Sequence, residues 1–323
     1  VKNVNQLKLA SPLERELASL RYFDRKLFIK PELTEKEKIH LKEIQTQGYT
    51  VIENFVDPMT LKQMQNLLQN DLEVGNFEMP DLAQSKIDPV KHKDLIDNYL
   101  FGNGQFYQKH GIAFDREDFK SLDQVVQDFM PSTIKNYFNP KTPLFFKTLL
   151  APIVTNLIEN YFGVKPYLIE AYSRRNFKAL YPVMNHYWHR DTNSPNFLLK
   201  SFLFLSNCEL KHGPHYYVQG SHKNLALNGK VYYTEEEIAK NYDLKKDLIV
   251  SEVKAGTLIL EDTRGLHKAG LPQEGFRDLV YGVFFPVSAF SRWKKTYYEI
   301  EENVFEQLDE KQKSYIPKMC VKG

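Results

Sequence analysis

Two cysteines, Cys208 and Cys320, are all that 323 residues contain. That excludes a disulfide framework and predicts a reducing, cytoplasmic setting. No apolar run reaches the roughly 18 residues that a membrane span needs, and the opening Val1-Lys2-Asn3-Val4 lacks the apolar core of a signal peptide. The chain starts without an initiator methionine, which points to a processed or trimmed polypeptide. An excess of one charge is missing too. The 43 basic and 41 acidic residues leave a net +2, which argues against nucleic acid as a partner. Internal repeats and low-complexity tracts are absent. So are the G-x-S-x-G elbow, a phosphate-binding glycine loop, H-E-x-x-H and paired C-x-x-C, which removes the common hydrolase, nucleotide-triphosphatase and zinc-finger readings.

What is present is enough apolar material, 42% of the residues, to fill a sizeable core, and 13% aromatics, which suit strands and a ring-walled pocket. Thr34 and Glu37 stand at capping-box spacing before a helix whose Ile39, Leu41 and Ile44 are expected on one side, with Gly48 as its stop. Tyr49 to Val56 reads as a strand, and Asp57-Pro58 opens a second helix carrying Leu61, Met64, Leu67 and Leu68. Between Val74 and Pro143 glycines and prolines interrupt any period, predicting mixed helix and loop. Phe145 to Phe162 is helical in period, with Pro152 kinking or restarting it and Gly163 ending it.

Beyond Gly163 the pattern alternates. Strands are expected at Tyr167–Asn176, His186–Asp191, Phe197–Leu205, His215–Val218, Thr257–Asp262 and Asp278–Pro286, with a polar helical insertion from Thr234 and a surface helix over Glu301–Lys313. Many short strands with few intervening helices indicate a mainly β, α+β protein with a double-stranded β-helix (jelly-roll, cupin-like) core. We expect one domain over 1–323: a mostly helical part with one early strand (1–163), the jelly-roll core (164–290) and a helical tail (291–323).

The chemistry concentrates at Tyr187-Trp188-His189-Arg190-Asp191. Alternation along a strand puts His189 and Asp191 on one face. His267 follows the apolar run Thr257–Leu260, and Arg277 stands ten residues later. Two imidazoles and one carboxylate on one face of an octahedral metal suit Fe(II) and leave three positions open, two for a bidentate 2-oxo acid and one for dioxygen. A guanidinium would hold that acid's far carboxylate as a bidentate fork. Tyr172, Arg174 and Asn176 alternate onto one face of the preceding strand and are further candidates for co-substrate contact, Asn176 first, with Lys200 on the following strand. His186 is expected on the opposite face from His189. His215 and His222 are expected to satisfy backbone groups or face the pocket rather than bind metal. Tyr187 and Trp188 are expected in the core, and Arg190 to point away from the metal toward substrate or an acidic neighbour.

This order resembles the Fe(II)/2-oxoglutarate-dependent dioxygenases, and two further stretches resemble their phytanoyl-CoA dioxygenase (PhyH) family. Gly213-Pro214-His215-Tyr216-Tyr217-Val218-Gln219-Gly220-Ser221-His222 looks like the family's Gly-Ser-His loop, with Gln219 where proline is common. Gly48-Tyr49-Thr50-Val51-Ile52-Glu53-Asn54-Phe55 looks like its N-terminal strand. The resemblance spans most of 45–72 and 165–286. It implies that His189, Asp191 and His267 bind Fe(II), that Arg277 pairs with 2-oxoglutarate, and that O2 is consumed as 2-oxoglutarate becomes succinate and CO2. A carboxylate at 191 favours hydroxylation over halide transfer. The substrate is expected to be a small or carrier-linked metabolite: an acyl, amino-acid, sugar or specialised compound. The inserts 75–145 and 224–250 are where a lid is expected. A cupin-like binding protein without turnover, or a different metal-dependent enzyme on the same scaffold, is the alternative. Oligomeric state does not follow from the sequence.

Overall fold

The computed structural model describes residues 25, 27, 29–73, 133–137, 142–177, 184–191, 198–224, 227, 229–286 and 298–323. Helix α1 (Glu35–Gln47) begins as the spacing requires: the Thr34 hydroxyl accepts from the Glu37 amide, and the Glu37 carboxylate accepts from the Thr34 amide at 2.8 Å. Its buried face carries Glu37, His40 and Ile44. Ile39 is 59% exposed, contrary to expectation, because the 3.6-residue period that aligns 37, 40 and 44 turns 39 away.

Gly48 ends the helix in the left-handed region at φ 84°. A Cβ there would lie 2.1 Å from the Tyr217 hydroxyl and 2.5 Å from His222 Nδ1. Gly48→Ala therefore combines backbone strain with overpacking, and we expect a loss of at least about 2 kcal/mol, read as a lower urea midpoint with unchanged m-value.

Strand β1 (Tyr49–Ile52) is shorter than its apolar run, because the chain turns at Asn54, φ 51°. Asp57 caps α2 (Pro58–Glu73), accepting from the amides of Met59 and Thr60. Strand β2 (Thr133–Tyr137) lies within the stretch expected to be helix and loop, and corrects it there; 74–132 and 138–141 lie outside the described residues. The next helical run divides into α3 (Leu144–Leu149) and α4 (Pro152–Phe162), since Pro152 has no amide with which to continue the ladder, and Gly163 closes α4.

Next come β3 (Tyr167–Phe177), β4 (Leu199–Phe204), β5 (His215–Val218), α5 (Glu235–Ala239), α6 (Leu244–Asp247), β6 (Leu248–Val250), β7 (Leu258–Asp262), β8 (His267–Ala269) and β9 (Phe276–Phe285). The strand expected over His186–Asp191 is instead a 3-10 turn, Met184–His186, followed by isolated bridges Trp188↔Tyr233 and His189↔His267. Only a short length of partner backbone, around His267, is available to it there. The tail is β10 (Ile300–Glu301), α7 (Glu302–Phe305), α8 (Glu310–Lys313) and β11 (Val321–Lys322). One surface helix was expected over Glu301–Lys313. Asp309 instead caps a new helix by accepting from the Gln312 amide, and Val304, Leu308, Tyr315 and Ile316 are buried in the main core.

The strands form a six-stranded antiparallel sheet, β1-β7-β4-β9-β3-β2, and a three-stranded antiparallel sheet, β6-β5-β8; β10 and β11 pair in parallel. Directly paired residues share a face, so register sorts the large sheet. Leu199, Leu203, Leu258, Leu260, Val280 and Phe284 pack with Phe146, Leu149 and Leu157 of α3 and α4. The other face carries Tyr172, Phe202, Phe204, Ile259, Leu279 and Tyr281, joined by Tyr217 of β5. This second, inner face also carries the charged residues discussed below. Among the described residues no helix is long and apolar enough to cross a membrane.

Candidate metal and co-substrate site

His189 and His267 are brought together by reciprocal backbone hydrogen bonds, each amide donating to the other's carbonyl at 3.0 Å, and Asp191 is tied alongside by its amide bond to Thr263 O at 3.0 Å. The imidazole orientations follow from local carbonyls. His189 Nδ1 donates to Tyr187 O at 2.8 Å and His267 Nδ1 to Gly265 O at 2.9 Å. A carbonyl can only accept, so in each neutral ring the proton sits on Nδ1 and the Nε2 lone pair is left for a metal.

Both Nε2 atoms face one carboxylate, His189 Nε2 at 3.9 Å from Asp191 Oδ1 and His267 Nε2 at 3.6 Å from Asp191 Oδ2. The three ligand atoms lie within 4.8 Å of one another, and among the described residues this is the one His/Cys/Asp/Glu group that could hold a metal ion. Residue 191 is exposed as a whole, but its side chain is only 19% exposed. Burial holds both histidines below the usual imidazole range, so they are neutral donors. Burial opposes ionisation of Asp191, but Lys200, His267 and His189 outweigh it and hold its carboxyl well below the usual carboxylate range. Lys200 Nζ lies 2.5 Å from Asp191 Oδ2. Two neutral imidazoles and an ionised carboxylate on one side of a pocket fit a divalent, oxygen-activating iron.

Arg277, at the start of β9, is 1% exposed, directly opposite Asn176 on β3. Tyr172 pairs Tyr281 and Arg174 pairs Leu279 on the same face. Lys200 and Phe202 of β4 also face inward, beside Val283 and Tyr281. Tyr172, Arg174, Asn176, Lys200 and Arg277 thus share the inner face of the large sheet by register, and Lys200 joins them to the His189, Asp191 and His267 group through Asp191. Burial lowers the Arg277 guanidinium to about 10, so it remains charged at neutral pH.

Several residues at the site escaped the sequence reading. Glu261 of β7 is fully buried, with Oε2 2.8 Å from His215 Nε2 but off the line of a hydrogen bond. Burial drives its carboxyl well above the usual range, against the attraction of Lys200. It stands two residues from Ile259, on the inner face of the sheet. Arg190, placed in sequence between His189 and Asp191, pairs with no acid among the described residues. Its guanidinium donates to the carbonyls of Ser221 (2.7 Å), Asn224 (2.9 Å), Leu227 (2.9 Å) and Arg264. It therefore ties the Gly-Ser-His loop to the turn before His267, where Ser221 Oγ also accepts from the Leu266 amide at 2.7 Å. Trp188 turns to the far side and packs with Val218, Tyr233 and Leu266.

His222 of the same loop is buried, and burial pushes its imidazole down to about 4. The unfolded chain then binds more protons than the folded one below pH 6.5, so this stability is complete above about 6.5 and is lost as pH falls toward 4. The span is worth on the order of 3 kcal/mol. Urea melts from pH 7 to 4 are expected to show a flatter stability–pH slope in His222→Asn than in the wild type.

Residues 44–271 match the family described as phytanoyl-CoA dioxygenase (PhyH). The chain belongs to that family, and so to the iron- and 2-oxoglutarate-dependent dioxygenases. EctD from S. alaskensis, solved with 2-oxoglutarate and 5-hydroxyectoine, is 17% identical at a TM-score of 0.50, with 84% of this chain and 86% of that chain covered. The epimerase SnoN, solved with Fe3+, alpha ketoglutarate and nogalamycin RO, is 11% identical at a TM-score of 0.51, covering 77% and 83%. HygX from Streptomyces hygroscopicus, solved with nickel and 2-oxoglutarate, is 17% identical at 0.48, covering 81% and 91%. At these identities the likeness is one of fold. Comparison with curated protein sequences gives no match.

Proposed function

We propose that the chain is a single-domain hydroxylase in which His189, Asp191 and His267 bind Fe(II) and Arg277 holds the distal carboxylate of 2-oxoglutarate. The carrying observation is the convergence of two Nε2 lone pairs and the Asp191 carboxylate beside a sheet face on which the buried Arg277 Nε and Nη1 have no hydrogen-bond partner. Asn176, across from Arg277, and Tyr172 flank the same co-substrate; the large and small sheets are read as the two halves of a double-stranded β-helix. Bound iron with 2-oxoglutarate and O2 supplies oxidising power, with release of succinate and CO2.

The chain's own residues do the rest. The Nδ1 hydrogen bonds to Tyr187 and Gly265 keep both imidazoles aimed at the metal. Tyr172, Phe202 and Tyr281, with centroids 4.7 and 5.3 Å apart about Tyr281, wall the cavity and exclude water. Asp191 occupies the position that halide transfer would need open, which favours returning hydroxyl to an unactivated C–H bond of a small or carrier-linked metabolite. The site works without a nucleic-acid partner, and a cytoplasmic location accords with its two unpaired cysteines.

Purified protein with Fe(II), ascorbate and 2-oxoglutarate is expected to form succinate with matching O2 uptake and to stop under strict anaerobiosis. Activity with zinc and no need for oxygen would replace this reading with a metal-dependent hydrolase. Failure to bind metal or 2-oxoglutarate would leave a binding protein without turnover.

A further inference from the structure

The inner face of the large sheet carries more positive charge than a 2-oxoglutarate dianion calls for. Arg174, Lys200 and Arg277 all lie on it by register. Arg174 is 9% exposed and Arg277 1%, and the Nε of each lacks a hydrogen-bond partner. Among the described residues neither arginine has an ion-pair partner. Three acids share the face. Asp191 is committed to the metal, and burial favours the uncharged form of Glu261. Glu170 is half-buried opposite Val283, four residues along β9 from the Leu279 that faces Arg174, or about 13 Å of strand.

Fe(II) and 2-oxoglutarate cancel in formal charge, so three fixed cations face Asp191, with Glu170 farther along the strand beside Tyr281 and Tyr172. A charge buried without a partner is costly, and such groups are retained where a ligand supplies the partner. Arg277 with Asn176 across from it suffices for one carboxylate. Arg174 stands diagonal to Arg277, roughly 7–8 Å away at the backbone, and leans over Tyr281 instead: its Cζ is 5.4 Å from the ring centroid, and Lys200 Nζ is 5.5 Å from the same centroid. His215, on the facing sheet, lies 5.2 Å from the Phe202 ring of the inner face, centroid to centroid, and burial with the nearby Arg277, Arg174, His189 and Lys200 lowers its imidazole.

We propose that the primary substrate carries an anionic group, a carboxylate or a phosphate ester, bound by Arg174 and Lys200 above the ring of Tyr281. This rests on the iron and 2-oxoglutarate reading and adds the chemistry of the substrate to it. Metal binding draws on the Asp191 charge that otherwise faces the Lys200 ammonium alone, which favours a further anion there, and the aromatic floor of Tyr281, Tyr172 and Phe202 supports the organic body next to the charge.

The test is anaerobic calorimetry on the full chain loaded with Mn(II) and 2-oxoglutarate, using benzoate, phenyl phosphate and the uncharged isostere benzamide as probes. The anion that binds better tells carboxylate from phosphate ester, and benzamide should bind about tenfold more weakly or worse. Arg174→Met and Lys200→Met should each weaken the anions by about tenfold or more, with Arg174→Lys recovering part of the loss, while 2-oxoglutarate affinity in Arg174→Met changes less than about threefold. Folding of Arg174→Met is not at risk, since it removes a buried charge without an ion-pair partner. If Arg174→Met weakens 2-oxoglutarate as much as benzoate, Arg174 belongs to the co-substrate and the proposal falls. It falls also if benzamide binds as well as benzoate. A wild-type chain that takes up neither Mn(II) nor 2-oxoglutarate overturns the underlying reading and the proposal with it, whereas loading with both and indifference to charge overturns the proposal alone.

Discussion

Asp191→Ala is expected to abolish succinate formation. Among the described residues the carboxylate is the one anion facing the two imidazoles, and without it two neutral nitrogens and the nearby Lys200 ammonium are left to receive a dication. Loss of an outer-shell partner already weakens metal sites by about 10–100-fold, so removal of the charged ligand should exceed about 100-fold. A Co(II) titration followed by its visible absorption measures this without reliance on turnover. Wild-type metal affinity and full activity in Asp191→Ala would remove that residue from the ligand set.

Arg277→Met is expected to separate co-substrate affinity from stability in opposite directions. Truncating one partner of a buried charge pair costs about 2–5 kcal/mol, which is roughly 30- to several thousand-fold in the Kd for 2-oxoglutarate. Metal binding should survive, since Arg277 touches no ligand. In the absence of 2-oxoglutarate the same change removes a buried guanidinium that has no carboxylate partner among the described residues, so the thermal midpoint should hold or rise. Arg277→Lys keeps charge but loses the fork, and should fall between the two in affinity. A destabilised Arg277→Met protein with wild-type 2-oxoglutarate binding would show that the arginine is structural.

Much of this was legible in the residues because it depends on local rules. The Thr34 and Glu37 pair, Asp57 before Pro58, the restart at Pro152 and the stop at Gly163 each need only a few neighbouring positions. His189, Asp191, His267 and Arg277 stood out because their residue types and order are restrictive, and the first three do lie close enough together to hold a metal ion. What was not legible depends on partners distant in sequence. The segment around His189 is apolar and aromatic enough to read as a strand, but strand length is set by the partner, and His189 finds only the short β8. Glu301–Lys313 has helical content, yet the burial of Val304 and Leu308 against the core bends the chain into two pieces. Glu261 was hidden in a strand buried on both faces, where alternation carries no signal. Arg190 was expected to reach toward substrate or an acidic neighbour, because nothing local shows that four carbonyls will converge on it.

That convergence bears on the order in which the molecule assembles. Arg190 is satisfied only when chain segments 31 to 74 residues away have closed around it. Loop closure over such spans carries an entropic cost that is met only after the flanking sheets have docked. His189 and Asp191, on either side of Arg190, are therefore expected to gain their final spacing late in folding, so that a metal-free chain should reach the same fold as one refolded with a divalent ion present.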